Sequence, residues 1–538
     1  MWSLVSLNGL WHNHDSLSWA QDRSLMKKTS RLSRVSLLLF VFFGLDKLLA
    51  VFRTIIIGRQ FGLSAELDVF NAANNLPDLL FALISGGALS IAFIPILSDT
   101  LAKQGRESAW KLFSRIANLA FVVTAVLAIL VSILAGPLVR GELGIAPGFT
   151  PVQQDLAVDL MRLNLIATLI FSISGLVMSG LQANQHFLLP AMAPLVYDGG
   201  RIFGALILAP EVGYRIGGFQ LPGFGMGIHG LVYGVIIGAA FHLLVQVPGL
   251  IKFKFKWFPN ISIRDQSVRR VLRLMGPRLV SMVFIQLIFL GQDNLASRLP
   301  VGSVTALSFG WWIQQVPQTM IGTAIATALL PTLSEHLAVG DRLAFKNTIE
   351  RSLKVMISFS LPIAVIISLT SLPLIQLAFG FTLSESQMVL WAAQAFLVGL
   401  LGHNVVELGV RSFFASQKPL IPMAVSATGF LLFIGTAIPL MGVLSFSGIA
   451  LANAFSYSVQ AVVLIFLLNR RLPESFRIGG SIFRGVLSAL LAGLSAWFVM
   501  SVLPIQLPLL LLTLGGIAVG TLVGVVPIWK EIRLLVQL

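Results

Sequence analysis

The chain has 538 residues, of which 56% are hydrophobic and 11% charged, with a mean hydropathy of +0.89. Soluble domains carry roughly 25% charged residues, so the composition excludes a soluble globular protein and predicts a polytopic membrane protein. The net charge of +15 raises nucleic acid as a partner, and the absence of cysteine excludes disulfides, thiolate chemistry and cysteine metal sites.

Residues 1–34 are polar and basic, lack the apolar run of a signal peptide, and read as a cytoplasmic tail. A transmembrane helix needs about 20 apolar residues. About fourteen such segments follow, near 35–58, 68–98, 109–136, 158–182, 187–209, 226–251, 274–297, 303–334, 351–380, 387–415, 419–441, 445–468, 481–503 and 507–529. The expected fold is therefore all-α. Several segments carry helix breakers, among them Pro77, the Gly86-Gly87 pair, Pro190, Pro194 and Pro317. Such breaks persist in a membrane where the freed backbone faces protein or a water-filled cavity.

The loops alternate in charge. Lys103, Arg106 and Lys111, the dense run from Lys252 to Arg273, Arg342 to Lys354, Lys418, and Arg470 to Arg484 fall on one side. The other side has little beyond Arg59, Arg140, Arg215 and Arg298. The positive-inside rule then places both termini in the cytoplasm. Topology accounts for the basic balance, and nucleic acid is not an expected partner.

The chain also repeats itself. "GGALSIAFIPILSDTLAKQG" (86–105) resembles "GTAIATALLPTLSEHLAVGD" (322–341), aligning Pro95 with Pro331 (331 − 95 = 236). "QANQHFLLPAMAP" (182–194) resembles "FASQKPLIPMAVS" (414–426), aligning Pro190 with Pro422 (422 − 190 = 232). Six spans separate the paired motifs, so the halves share one orientation. The expectation is two parallel six-helix lobes, 35–251 and 274–468, joined by a basic linker, 252–273, and followed by a helix pair, 469–538. Parallel repeats belong to transporters that rock one lobe against the other.

Charges inside spans mark function or pairing, because each costs about 2.5–3.5 kcal/mol on insertion scales. In "GLDKLLAVFR" (44–53), Asp46 and Arg53 are seven apart and share a helical face, with Lys47 turned about 100° away. Asp46 and Lys47, as neighbours, are not expected to neutralise each other. The helix therefore reads as one wall of a hydrated cavity. Asp68, Asp78, Arg162, Arg278 and Asp293 are further candidates, while Asp198/Arg201 and Glu407/Arg411 have the spacing of local pairs. Asp68 and Asp293 lie near span ends, where capping competes with function. "FGWWIQQVPQ" (309–318) reads either as packing surface or as cavity wall. No Walker loop, nucleophile–base signature or clustered metal-ligand spacing is present, so neither an enzyme nor a metal site is expected.

"VFRTIIIGRQFGLSAELDVFNAANNLPDLL" with the repeat motif after it, "FLLPAMAPLVYD", "LLPTLSEHLA" and "DNLASRLPVGSVTALSF" resemble the MurJ/MviN family. Its members are lipid II flippases of the multidrug/oligosaccharidyl-lipid/polysaccharide exporter superfamily. The resemblance implies a V-shaped two-lobe fold with a cationic cavity. In it, Arg53 and Lys47 would bind the diphosphate of a lipid-linked peptidoglycan precursor, and Asp46, Asp68 and Asp293 would serve gating or ion coupling. Asp78, Phe81, Trp312, Arg201 and Arg278 would line the cavity. It implies no cofactor, with coupling to membrane potential or a monovalent ion, and partners in membrane lipids and cell-wall synthesis. A groove for the lipid tail would be formed by the last two helices. This sequence departs from the family pattern at four places. Lys47 stands for an arginine, Phe81 for a second-helix arginine, Gly86 for the glutamate of an "EGA" motif, and Trp312 for an eighth-helix arginine. Other readings are an exporter of another polyprenyl-diphosphate-linked saccharide, a multidrug exporter, and a non-transporting scaffold.

Overall fold

The computed structural model describes residues 41–535 except 43, 85–86 and 502–507; the side chains at 84, 87–92, 216, 274, 277 and 278 also lie outside the description. The tail at 1–34 and the side chain of Arg278 therefore fall outside the described residues. Each apolar segment read from sequence falls on helical backbone over its described part. The first half contains α1 (44–61), α2 (Ala65–Ile84), α3 (Gly87–Arg140), α4 (Pro151–Ala183), α5 (Leu188–Phe203), α6 (Ile228–Leu244) and the short α7 (Val247–Lys252). The second half contains α8 (Gln266–Ala296), α9 (Ser303–Gln318), α10 (Ala324–Ala338), α11 (Arg342–Phe379), α12 (Leu383–Val398), α13 (Leu400–Ala415) and α14 (Leu420–Asn469). The chain closes with α15 (Gly479–Ser501), α16 (Leu509–Val525) and α17 (Trp529–Leu535).

Nine described helices, or eleven with two bent pairs each taken as one, are long and apolar enough to cross a membrane. The 54-residue α3 and 50-residue α14 each hold more than one pass, being broken at Gly105 (φ 81°) and Ser445 (φ 53°). Breaking those two helices there, adding α1, and counting α2 with the first part of α3 as the one segment 68–98 recovers the fourteen segments. Among the described residues one element is not helical: Arg215–Ile216 and Phe219–Gln220 form a two-stranded ribbon in the α5–α6 connection. Its turn is Gly217-Gly218, with Gly217 at φ +61°, which glycine adopts without steric cost. The apolar periodicity that finds spans is blind to so short a ribbon.

Two turns at the offset of the second repeated motif share their backbone geometry. Gln185 and Gln417, 232 residues apart, are both left-handed, at φ 59° and 55°. In both turns the next amide reaches back five residues, His186 to the Leu181 carbonyl and Lys418 to that of Phe413, each 2.9 Å. Pro190 and Pro422 each stand third in the helix that follows.

Within the first half α4 packs on α2, α3 and α6, and α5 on α6. The α5–α6 crossing runs through glycines: a Cβ on Gly204 would sit 2.6 Å from the Gly234 Cα, and one on Gly200 2.4 Å from that of Gly238. Small residues let membrane helices approach this closely, where lipid supplies no hydrophobic drive of its own. In the second half α12 packs on α9, α11 and α14, while α15 and α16 lie against α11. The helix α8 belongs to both. Val268, Val271 and Met275 join the core of α3 and α4, and farther along Phe433 of α14 reaches Gly291. The segment before α8 is also fastened. Trp257 donates to Asn118, and Asp265 both caps α8 and meets Arg115 at 2.5 Å.

Candidate functional site

Hydrogen bonds joining the two halves, among the described residues, gather at the end opposite the basic loops. The buried Asp68 of α2 accepts from the Gly302 amide (2.6 Å), the Thr305 amide (2.7 Å) and the Thr305 hydroxyl (2.6 Å). Gly302 is the N-cap of α9 and has no side chain to offer the orphan amides there. Asp68 therefore caps a helix of the other half, with an anion at the positive end of its dipole. Arg59 of α1 does the converse, donating to the Ala378 (2.6 Å) and Leu377 (2.7 Å) carbonyls at the C-terminus of α11. Asn75 donates to the buried Asp293, and Asn71 to Thr305 (3.2 Å). In the α3–α4 loop, Glu142 takes Arg298 (2.9 Å), and the Gly144 carbonyl takes Asn294 (2.6 Å).

Two cavities adjoin this closed end. One of about 330 Å³ lies inside the first half, walled by Asp78, Phe81, Phe171, Tyr197, Arg201 and His242, among others. The other, about 150 Å³, lies between the halves, bounded by Arg53, Thr54, Asn71, Arg201, Phe309 and Trp312 in particular. Arg201 borders both. Arg53 is bound to Asp198 of α5 in an ion pair whose side chains are 14% and 5% exposed. The i,i+3 partner expected for Asp198 is thus displaced by a residue 145 positions away. Arg201 instead lies over the Tyr197 ring, 5.4 Å from its centroid, with no ion pair or hydrogen bond among the described residues. Glu407 and Arg411 do form the local pair, at 3.2 Å.

The remaining candidates separate by position. The Lys47 side chain is 72% exposed, and its Nζ stands 3.7 Å from Asp46. Those neighbours do meet, contrary to the expectation from helical spacing, because a long lysine chain can fold back along the surface. Phe81 packs edge-on to Phe171 at 5.0 Å within the cavity wall. The two tryptophans divide the two readings of their segment. Trp311 packs among Phe289, Phe396 and His403, while Trp312 borders the inter-half cavity. Arg162 donates to the Ser132 carbonyl (3.1 Å). Sequence reasoning passed over Arg59, Asn71, Asn75 and Arg298. The available signal was Arg59 and Arg298 standing on the side of the chain otherwise poor in charge.

A protein-family model described as "Lipid II flippase MurJ" matches residues 57–523. The chain belongs to that family. A lipid II flippase MurJ of Burkholderia cenocepacia is 27% identical over 440 residues, covering 79% of this chain and 82% of its own. A Haemophilus influenzae relative is 25% identical and covers 84% of this chain and 90% of its own. Among solved structures, "Lipid II flippase MurJ, inward closed conformation" superposes with a TM-score of 0.75 at 21% identity, covering 92% of this chain and all of its own. An inward-facing multidrug resistance MATE family transporter of the MOP superfamily gives 0.62 at 15% identity, covering 79% and 94%. At those identities the likeness is one of fold: a multi-pass, all-helical membrane protein built on the MurJ and MATE plan.

Proposed function

We propose that this chain moves lipid II across the bacterial cytoplasmic membrane by alternating access, with both termini and the basic loops in the cytoplasm. The observation that carries the reading for this chain is Arg201: a guanidinium that borders both cavities, shares the first with Asp78, and forms no ion pair or hydrogen bond among the described residues. A diphosphate is an anion, and the planar fork of arginine suits it bidentately. Phe81 and Trp312 stand where the family resemblance expects arginines, and Arg201, reaching in from α5, supplies a cation beside both. In this reading Arg53 is held in reserve by Asp198, and Lys47 meets the headgroup at the cavity mouth. Asp68 and Asp293 are the gate, since their bonds to Thr305 and Asn75 must break before the lobes can part at the outer face. An apolar groove of about 570 Å³ among α11, α13, α14 and α15, with Ile357, Leu401, Ile465 and Ile482 in its wall, suits the lipid tail. The lobes 35–251 and 274–468 would move as the two rocking bodies, driven by membrane potential or a monovalent ion and serving the cell-wall synthesis machinery.

Complementation of a strain depleted of its own lipid II flippase tests this, with wild type, Arg201→Ala and Arg201→Lys at matched membrane levels. Rescue by wild type, loss with Ala and partial rescue with Lys are expected. Full rescue by Arg201→Ala would overturn the assigned site, and failure of correctly inserted wild type would overturn the substrate. One observation favours a second reading, a multidrug exporter: Asp78 faces the same cavity as the aromatic wall of Phe81, Phe171 and Tyr197. Drug resistance conferred on a sensitive host, abolished by Asp78→Asn, would favour it.

A further inference from the structure

At the basic end of the second half lies a separate cavity of about 690 Å³, where α10 and α13 end, α11 begins and α14 passes into the loop before α15. Arg342, Lys418 and Arg471 stand on its rim, and its lining includes no acidic residue. Phe345 and Phe413 are buried beneath, with Leu468 beside them, and Arg471 lies 5.8 Å above the Phe413 ring. None of the three cations has an ion pair among the described residues. Neighbouring cations do: Lys346 is held by Glu350 (2.6 Å) and Glu474 (3.7 Å), and Lys354 by Glu350 (2.6 Å). The plain explanation is that the cations complement helix C-termini, for α10, α13 and α14 all end here. Each such end carries about half a negative charge. Three half-charges offset only about half of three full cations, so a surplus remains over an apolar floor.

We propose that this cavity binds a phosphate-bearing anion, its charge met by Arg342, Lys418 and Arg471 and its uncharged neck resting on Phe345 and Phe413. Basic pockets between transmembrane helices near the membrane surface suit lipid headgroups, and the volume falls in the range of ligand sites. An anionic phospholipid headgroup and a free phosphorylated compound share this chemistry. The site is distinct from the Arg201 cavities, which none of its residues borders.

The test is binding to the purified full-length chain in detergent, by calorimetry, and needs no transport. The probes are short-chain phosphatidylglycerol, short-chain phosphatidylcholine and inorganic pyrophosphate. At about fivefold per cation, Arg342→Gln/Lys418→Gln/Arg471→Gln should bind the anionic probe about a hundredfold more weakly. Phosphatidylcholine should not distinguish the two proteins, and Arg342→Lys/Arg471→Lys should keep most of the affinity, which separates charge from folding. A loss confined to phosphatidylglycerol assigns a lipid headgroup; a loss with pyrophosphate as well assigns a free phosphorylated ligand. Equal binding of both anionic probes to wild type and the triple variant overturns the proposal.

Discussion

Replacing Asp68 with alanine should open the end of the molecule that carries the cap. The substitution removes the acceptor for the Gly302 amide, the Thr305 amide and the Thr305 hydroxyl at 2.6, 2.7 and 2.6 Å. Gly302 offers no replacement. Loss of an N-cap side chain costs about 0.5–2 kcal/mol, and one bond to a charged group contributes about 1.5–3 kcal/mol. We take about 2 kcal/mol, because water recovers part of the loss once a cavity forms. In a conformer where α2 and α9 have separated, water caps α9 in wild type and variant alike, so the whole loss falls on the closed state. That is about a thirtyfold shift, and a closed-to-open ratio of about 100 would fall to about 3. The chain has no cysteine, so Val152→Cys and Leu383→Cys, exposed positions in the two halves at that end, give a spin-label pair without background. Pulsed electron–electron spin resonance should report a longer-distance population in Asp68→Ala, a smaller one in Thr305→Ala and little in wild type. Identical distance distributions would refute the claim that Asp68 holds this end shut.

Arg53→Ala should lower thermal stability by about 3–5 kcal/mol because it strands Asp198 in the interior. Arg53→Met/Asp198→Leu should recover much of that, and a harmless Arg53→Ala in a thermal-shift assay would contradict a structural pair. Lys47→Ala, on a side chain 72% exposed, should change stability by less than about 0.5 kcal/mol. Arg201→Ala should leave the melting temperature near wild type yet slow lipid II flipping in proteoliposomes about 10–150-fold, the equivalent of one charge-assisted contact; unchanged flipping counts against it. Gly234→Leu should separate α5 from α6, since even a Cβ there lies 2.8 Å from the Gly204 Cα. A fall in stability of about 1–3 kcal/mol is expected by thermal denaturation, against none for Gly199→Ala, which meets nothing within 4 Å.

Much of the fold was legible because a membrane imposes simple statistics. Span length and loop charge suffice to read the helices, and at the offset of one repeated Pro motif Gln185 and Gln417 share a left-handed backbone. The glycine crossing was present as Gly200, Gly204, Gly230, Gly234 and Gly238, but spacing alone does not say which helices meet. The site was legible as a set of charges and not as a set of pairs. Asp198 has a cation at i,i+3, yet it binds Arg53 from 145 residues away, because partner choice depends on how α1 packs against α5. Asp68 read as a cap or a functional group; it is a cap, though for a helix 234 residues distant, which no local motif encodes. Lys47 and Asp46 met despite their spacing because rotamer freedom, absent from a helical wheel, decides the reach of lysine.

The charge balance of the site constrains how an anion could enter it. Arg53 and Arg201 are matched by Asp78 and Asp198, so the region is not a uniformly cationic sink, and a diphosphate must compete for its cations. The competition is unequal. Taking Arg53 means releasing Asp198, whose side chain is 5% exposed, and an unpaired buried carboxylate costs several kcal/mol. Arg201 asks for no such release and already borders the cavity between the halves. An incoming anion should therefore meet Arg201 first and reach Arg53 only if α1 and α5 shift enough to let water or the ligand's own donors satisfy Asp198. On that order of events, Asp198→Asn would ease the second step by removing the competing charge, and it should tighten binding of a diphosphate probe where Arg201→Ala weakens it. Opposite signs in those two variants, read by calorimetry with the same probe, would separate ligand competition from loss of fold, which would weaken binding in both.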